Sequence, residues 1–199
     1  MPNLKDIKSR ISSVQNTKKI TKAMKMVAAA KVKKAENTVK AARPFSDELL
    51  HLFRKMLATV GEYSVAGLHV QRALDNYPEL LEKRDIKTEG LLVITSNKGL
   101  AGAYNSNNIK TAIARIRANK ERGVNTVIYP VGQKAVSAFK HAGKYFELKE
   151  GYISIANDPT ATGANIIAED IAEDFVSGHI DKIDIITTHF NNMMSYNVV

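Results

Sequence analysis

The chain has 199 residues and a formal net charge of +9, from 29 Lys+Arg against 20 Asp+Glu. At 44% hydrophobic and 25% charged residues it is neither disordered nor collagen-like, and its length suits one domain or one domain plus an extension. The absence of cysteine excludes disulfides, thiolate metal sites and a thiol nucleophile.

The charge is unevenly placed. Residues 1–43 hold 12 Lys/Arg against two acids, Asp6 and Glu36, which leaves 17 basic and 18 acidic residues for 44–199. Charges recur through the N-terminus without an apolar core, so it is not a secretory signal, and its Lys and Ala do not match an Arg- and Ser-rich transit peptide. No apolar run approaches the ~18–20 residues of a membrane span.

Residues 3–43 contain no Gly and no Pro and are rich in Ala and Lys, which predicts one long helix. Asn3 can cap it, and Asp6 puts a carboxylate in the first turn. Leu4, Ile7, Ile11 and Val14, then Ala28, Val32, Ala35, Val39 and Ala42, keep the alternating three- and four-residue spacing of a coiled-coil seam. Between them the seam falls on Lys18, Thr21 and Lys25, while Ile20, Met24 and Val27 are displaced by one position. Such a drift marks a stutter or a change of partner.

Three readings compete for this helix. It could be a solvated basic helix, but isolated helices are marginal and so long a seam calls for burial. It could bind nucleic acid through Lys–phosphate contacts. Against that, its charges are spread around the axis, and it has two Arg and no aromatic residue, where base readout favours Arg. The pattern favours a coiled-coil helix whose other side faces a partner.

Arg43-Pro44 marks a kink or restart. Phe45, Leu49, Leu52, Phe53 and Met56 resume helical spacing as far as Val60, and Gly61 is a plausible stop. Residues 61–89, with Gly67, Asn76-Tyr77-Pro78 and a charged cluster from Glu79 to Glu89, read as a connector.

From Gly90 strand and helix alternate. Leu91 to Thr95 is an apolar run typical of a strand buried on both faces. A turn over 96–103 leads to a helix over 105–122 that Gly123 ends. Val124–Val131 is a strand, Gly132 opens a helix to Ala142, Tyr145–Ile155 reads as a strand pair or an edge strand, and Ala161–Val176 is a helix. Ile183–Phe190 is a buried strand, and Met194–Val199 begins another. This order predicts an α/β fold with a mostly parallel sheet covered by helices.

The turn Ser96–Asn105 contains G-x-x-G, which lacks the first glycine of a dinucleotide fingerprint, and no phosphate-loop motif is present. A tight turn for close helix packing competes with a weak nucleotide signal there. His51, His69, His141, His179 and His189 have no metal-ligand spacing, no nucleophile elbow occurs, and Asp170, Glu173 and Asp174 suit a solvated helix face. No catalytic, cofactor-binding or metal-binding residues are expected.

Leu4-Lys5-Asp6-Ile7 and the run from Ser13 to Lys31 (SVQNTKKITKAMKMVAAAK) closely resemble the N-terminal helix of the gamma subunits of F-type ATP synthases. Ile94–Asn105 (ITSNKGLAGAYN) is similar to that family's second signature, and Thr187–Met194 fits its strand pattern. The resemblance implies a central rotor shaft (residues 1–60) joined by the connector to a Rossmann-like α/β domain (residues 90–199). In the family the shaft helix pairs with a C-terminal helix inside a ring of alpha and beta subunits. The α/β domain sits at the foot against the epsilon subunit and the c-ring, and the subunit itself makes no bonds.

By the same resemblance, Lys18, Lys19, Lys22, Met24 and Lys25 lie against the beta subunits, while Ser96, Asn97, Lys98, Gly99, Gly102 and Asn105 lie near the foot. Nucleic acid is not an expected partner, and membrane association is expected through the complex alone. The expected place is the cytoplasmic face of a bacterial inner membrane rather than an organellar one. Two departures stand out: Ala101 replaces a common Cys, and the family continues for about another 90 residues, which predicts a fragment lacking the second shaft helix. The runner-up reading is a stand-alone nucleotide-binding α/β module with a basic arm.

Overall fold

The computed structural model describes residues 3–63, 80, 84–142, 145–157, 159–192 and 195–199. Two compact units divide the chain, Met1–Asn76 and Tyr77–Val199.

The first unit contains α1, Leu4–Tyr63, a helix of 60 residues that spans roughly 90 Å at the usual rise. Its start is a reciprocal cap. The Asp6 carboxylate accepts from the Asn3 amide at 3.3 Å, and the Asn3 side-chain oxygen accepts from the Lys5 amide at 3.5 Å. The helix does not restart at Pro44, nor does it stop at Gly61; both lie inside it. A proline deletes one backbone bond, and a single glycine costs about 1 kcal/mol relative to alanine, so neither ends a long helix by itself. The connector read over 61–89 falls largely outside the described residues, including Gly67 and Asn76-Tyr77-Pro78.

In the second unit β1 (Thr88–Ile94) leads through α2 (Tyr104–Glu121) to β2 (Asn125–Val131). Then come α3 (Gln133–Lys140), β3 (Glu147–Leu148), α4 (Ala161–Val176) and β4 (Lys182–Ile186). The four strands form a parallel sheet in the order β3-β2-β1-β4. The chain steps outward from β1 to β3 and then returns to the other side of β1. The two helices of the first direction therefore cover one face and the returning helix the other, as right-handed crossovers require. Leu91, Val93 and Ile128 pack with Ala112, Ile116 and Phe139 on the α2/α3 side. Leu92, Val127 and Tyr129 pack with Ile167 and Phe175 of α4 on the other.

Three boundaries differ from the sequence expectation. β1 begins at Thr88, inside the stretch read as the connector, and the charge of buried Glu89 is answered there. Arg115 donates two bonds to its carboxylate at 2.9 and 2.6 Å, and Lys182 approaches to 3.4 Å. The Tyr145–Ile155 stretch supplies a two-residue edge strand and one further bridge, Val131 to Tyr152, not a strand pair. Ile183–Phe190 is not one strand. The last pair between β1 and β4 is Val93 with Ile186, and beyond it the Ile94 carbonyl is taken by the Asn108 side chain at 2.8 Å. The chain turns to a separate antiparallel ribbon of β5 (Thr188–Asn192) and β6 (Ser195–Val198), closed by two Thr187–Val199 backbone bonds of 3.0 and 2.9 Å.

Candidate partner-binding surfaces

Two surfaces carry the residues singled out by sequence, one in each compact unit. On α1, Lys18, Lys22 and Lys25 share one side, within about 60° of arc, whereas Lys19 and Met24 point roughly 100° and 120° away in opposite directions. All five are exposed. None of the four lysines forms an ion pair among the described residues, whereas Glu36 pairs with Lys33 and with Lys40 on the same helix. Thr17 and Thr21 instead turn their hydroxyls onto the carbonyls four residues back, at 3.0 and 2.8 Å. Leu4, Ile11, Val14, Val27, Val39, Phe45 and Met56 are also exposed, so the helix offers apolar and cationic groups together.

The second surface is the loop after β1, at the point where the strand order reverses. In an open parallel sheet this is where a ligand crevice forms. Here the chain's own side chains fill it. The buried Thr95 hydroxyl donates to the Val131 carbonyl at 2.9 Å and accepts from the Ala135 amide at 2.9 Å. The Asn97 carboxamide accepts from the Gln133 amide at 2.7 Å and donates to the Ile153 carbonyl at 2.7 Å. The Lys134 amide reaches the Ser96 carbonyl at 3.2 Å. The free amides of the first turn of α3, which would hold an anion, are therefore capped internally.

The start of the loop is tied to α2. The Asn105 side-chain oxygen accepts from the Ser96 amide at 2.9 Å, and its amide donates to the Ser96 hydroxyl at 2.9 Å. Asn108, fully buried on α2, donates to the Ile94 carbonyl at 2.8 Å and accepts from the Thr188 hydroxyl at 2.8 Å. These two bonds tie the end of β1 to the start of β5. A cavity of about 390 Å³ beside the loop is lined by Leu92, Ile94, Tyr104, Ile155, Pro159 and Ile167 among others, and among the described residues no basic side chain lines it.

Beyond these ties the loop tip stands clear. Leu100 has φ +59° and is 94% exposed, and Gly102 has φ +55°. A Cβ on Gly99 or Gly102 would meet nothing within 4 Å. Ser96, Asn97 and Asn105 thus hold the loop, and Lys98 to Gly102 present it. Sequence reasoning named the glycines and missed Leu100, although a leucine between two glycines in a polar turn is itself a signal. It also passed over Thr95 and Asn108, whose positions one residue past a strand and one turn into a helix mark them as latches.

Among the described residues no group of three His, Asp or Glu could hold a metal ion, and no helix is long and apolar enough to cross a membrane.

The family model described as ATP synthase matches residues 3–199. The chain belongs to the ATP synthase family. It is similar to the ATP synthase gamma chain of Crocosphaera subtropica, 39% identical over 197 residues, covering 98% of this chain and 58% of that one. The gamma chain of Synechococcus elongatus is 38% identical over 205 residues, covering 100% and 59%. The chain therefore spans a little under three fifths of the length of these ATP synthase relatives. Among solved structures it resembles the central stalk and c-ring assembly of the Tetrahymena thermophila mitochondrial ATP synthase, with TM-score 0.57 and 25% identity over 90% of this chain and 70% of that one.

Proposed function

We propose that this chain is the rotor part of the central stalk of an F-type ATP synthase and makes no bonds itself. The observation that carries the reading is α1: a 60-residue helix with an exposed apolar seam interrupted by unpaired lysines, on a chain homologous to gamma chains. A helix of this length suits the axis of a ring, and its lysines suit acidic loops on the ring's inner wall. Exposed pairs of that kind add only about 0–1 kcal/mol each, so they steer and align more than they hold.

In this assignment residues 1–60 form the shaft, 61–89 the connector and 90–199 the foot. Lys18, Lys19, Lys22, Met24 and Lys25 face the beta subunits of the alpha–beta ring. The loop from Ser96 to Asn105 touches neighbours at the foot, where the epsilon subunit and the c-ring lie. The helix that completes the coiled coil is the C-terminal one of the full gamma chain. The location is peripheral, on the cytoplasmic face of a bacterial membrane, with attachment through the complex.

Co-expression with alpha and beta subunits tests this, using the chain extended by the C-terminal segment of a gamma relative. A complex that co-purifies and hydrolyses ATP is the expected result; failure to assemble sinks the reading. The alternative of a nucleotide-binding module, read from the Gly99–Gly102 turn, is opposed by the homology to gamma chains over nearly the whole chain, and among the described residues no basic side chain lines the cavity beside that turn. Calorimetry with ATP and with NAD is expected to show no heat.

A further inference from the structure

We propose that the α/β unit holds a binding site for an aryl carboxylate, in a cavity between α2 and the residues just before β3. The site goes beyond the rotor reading and does not rest on it.

The site begins with one stripe of α2. Ile113, Ile116, Arg117 and Lys120 recur at the spacing that puts side chains on one face of a helix. Ile116 is buried and Ile113 packs partly buried against the core, while Arg117 and Lys120 are exposed. With Ala142, Tyr145 and Phe146 these four side chains line a cavity of about 410 Å³. That volume lies in the range of small-molecule sites. Its inner wall is braced, because Phe146 meets the buried Phe139 edge to face, with ring centroids 5.6 Å apart. Apolar surface at the bottom and an aromatic wall suit a flat ring.

The mouth is cationic. Arg115 of the same helix is engaged by Glu89 and Asp184, but Arg117 and Lys120 have no carboxylate partner among the described residues. The Lys120 ammonium lies 3.6 Å from the centre of the Tyr145 ring, which keeps it at the rim. Glu147, the acid next along the chain, faces His179 and Lys149 instead. The surroundings reinforce the rim. α2 and α3 cover the same face of the sheet and carry six Lys/Arg against one acid, Glu121, which does not line the cavity. α4, on the other face, carries four acids and no Lys or Arg. A cavity of about 560 Å³ on that side sets Glu150, Asp170, Glu173 and Asp174 against Lys149 alone, so it turns an anion away. An apolar floor beneath two unanswered cations therefore selects a ligand with a ring at one end and a carboxylate at the other.

Naphthoate is the probe, and the full chain is the protein. Calorimetry is expected to show one saturable site per chain, and amide shifts on titration should centre on residues 113–120 and 145–146. Naphthamide, the same ring without the charge, should bind at least about tenfold more weakly. Arg117→Glu combined with Lys120→Glu should lower naphthoate affinity at least about tenfold, with naphthamide affinity and the unfolding midpoint of the α/β unit unchanged. Ala142→Trp fills the cavity and should abolish binding of both probes. No saturable binding at millimolar naphthoate, shifts confined to α1, equal affinity for the two probes, or undiminished binding in either variant would each overturn the proposal.

Discussion

Gly132 stands against the backbone of Thr95. With φ at +89°, a Cβ at this position would lie 2.8 Å from the Thr95 carbonyl carbon and 3.0 Å from its hydroxyl. The close approach lets Thr95 reach Val131 and Ala135 at once and so joins the end of β1 to the start of α3.

Gly132→Ala therefore introduces both a disfavoured dihedral and a clash with rigid backbone. A loss of about 3 kcal/mol is expected in denaturant unfolding of the α/β unit, with an unchanged slope. An unshifted midpoint would mean that the Thr95 junction yields freely.

Asn97→Ala removes the acceptor for the Gln133 amide and the donor to the Ile153 carbonyl. The expected cost is about 1–2 kcal/mol. Hydrogen exchange should report faster opening at Gln133, while amides in β1 stay protected. The same variant uncaps α3, so it is the place to look for gained phosphate binding; none is expected, because among the described residues no basic side chain lines the cavity beside the loop.

Glu89 links stability to pH. Burial by itself raises its pKa, but the hydrogen bonds from Arg115 and Asn119 outweigh that and bring it down to about 2. A depressed carboxylate stabilises the fold above its unfolded pKa, near 4.5, and that contribution is lost as pH falls through about 2. Glu89→Gln should cost about 3 kcal/mol at neutral pH, since it leaves Arg115 and Lys182 with Asp184 alone. It should also flatten the stability profile between pH 4.5 and 2. Equal slopes in the two proteins across that window would assign the acid sensitivity to other groups.

Much of this unit can be read in the residues. A run of Leu-Leu-Val-Ile without alternation announces a strand covered on both sides, and β1 is buried from Glu89 to Val93. Gly123, at φ +72°, closes α2 where expected. What local pattern cannot report is long-range compensation. Glu89 looks solvated until Arg115, 26 positions later, and Lys182, 93 positions later, are brought beside it. The break after Ile186 is likewise invisible locally, because it coincides with Asn108, 78 positions earlier, taking the Ile94 carbonyl. The loop after β1 is half legible: its glycines predict a turn, but the bonds from Thr95, Asn97 and Asn108 join positions far apart in the chain.

Leu100 tests the presented loop. Leu100→Asp should leave the unfolding midpoint of the α/β unit within about 0.5 kcal/mol, since the side chain touches solvent. It should weaken assembly with the foot subunits of the complex by about tenfold, read by co-purification at graded protein concentration. Equal assembly would remove this leucine from the interface.

Reversing Lys18, Lys22 and Lys25 together to Glu should lower the rate of association with the alpha–beta ring and invert its salt dependence, as measured by stopped-flow mixing. A rate that is unchanged at low salt would separate these lysines from the ring.

Pro44 gives α1 a mechanical character. Lacking an amide hydrogen, it leaves the Lys40 carbonyl without its usual donor in the middle of a 60-residue rod. A rod under torsion yields where its internal bracing is thinnest. If the two ends of α1 are turned against each other, elastic twist concentrates around residues 40–44, and the stretch from Leu4 to Val39 turns as a stiffer body.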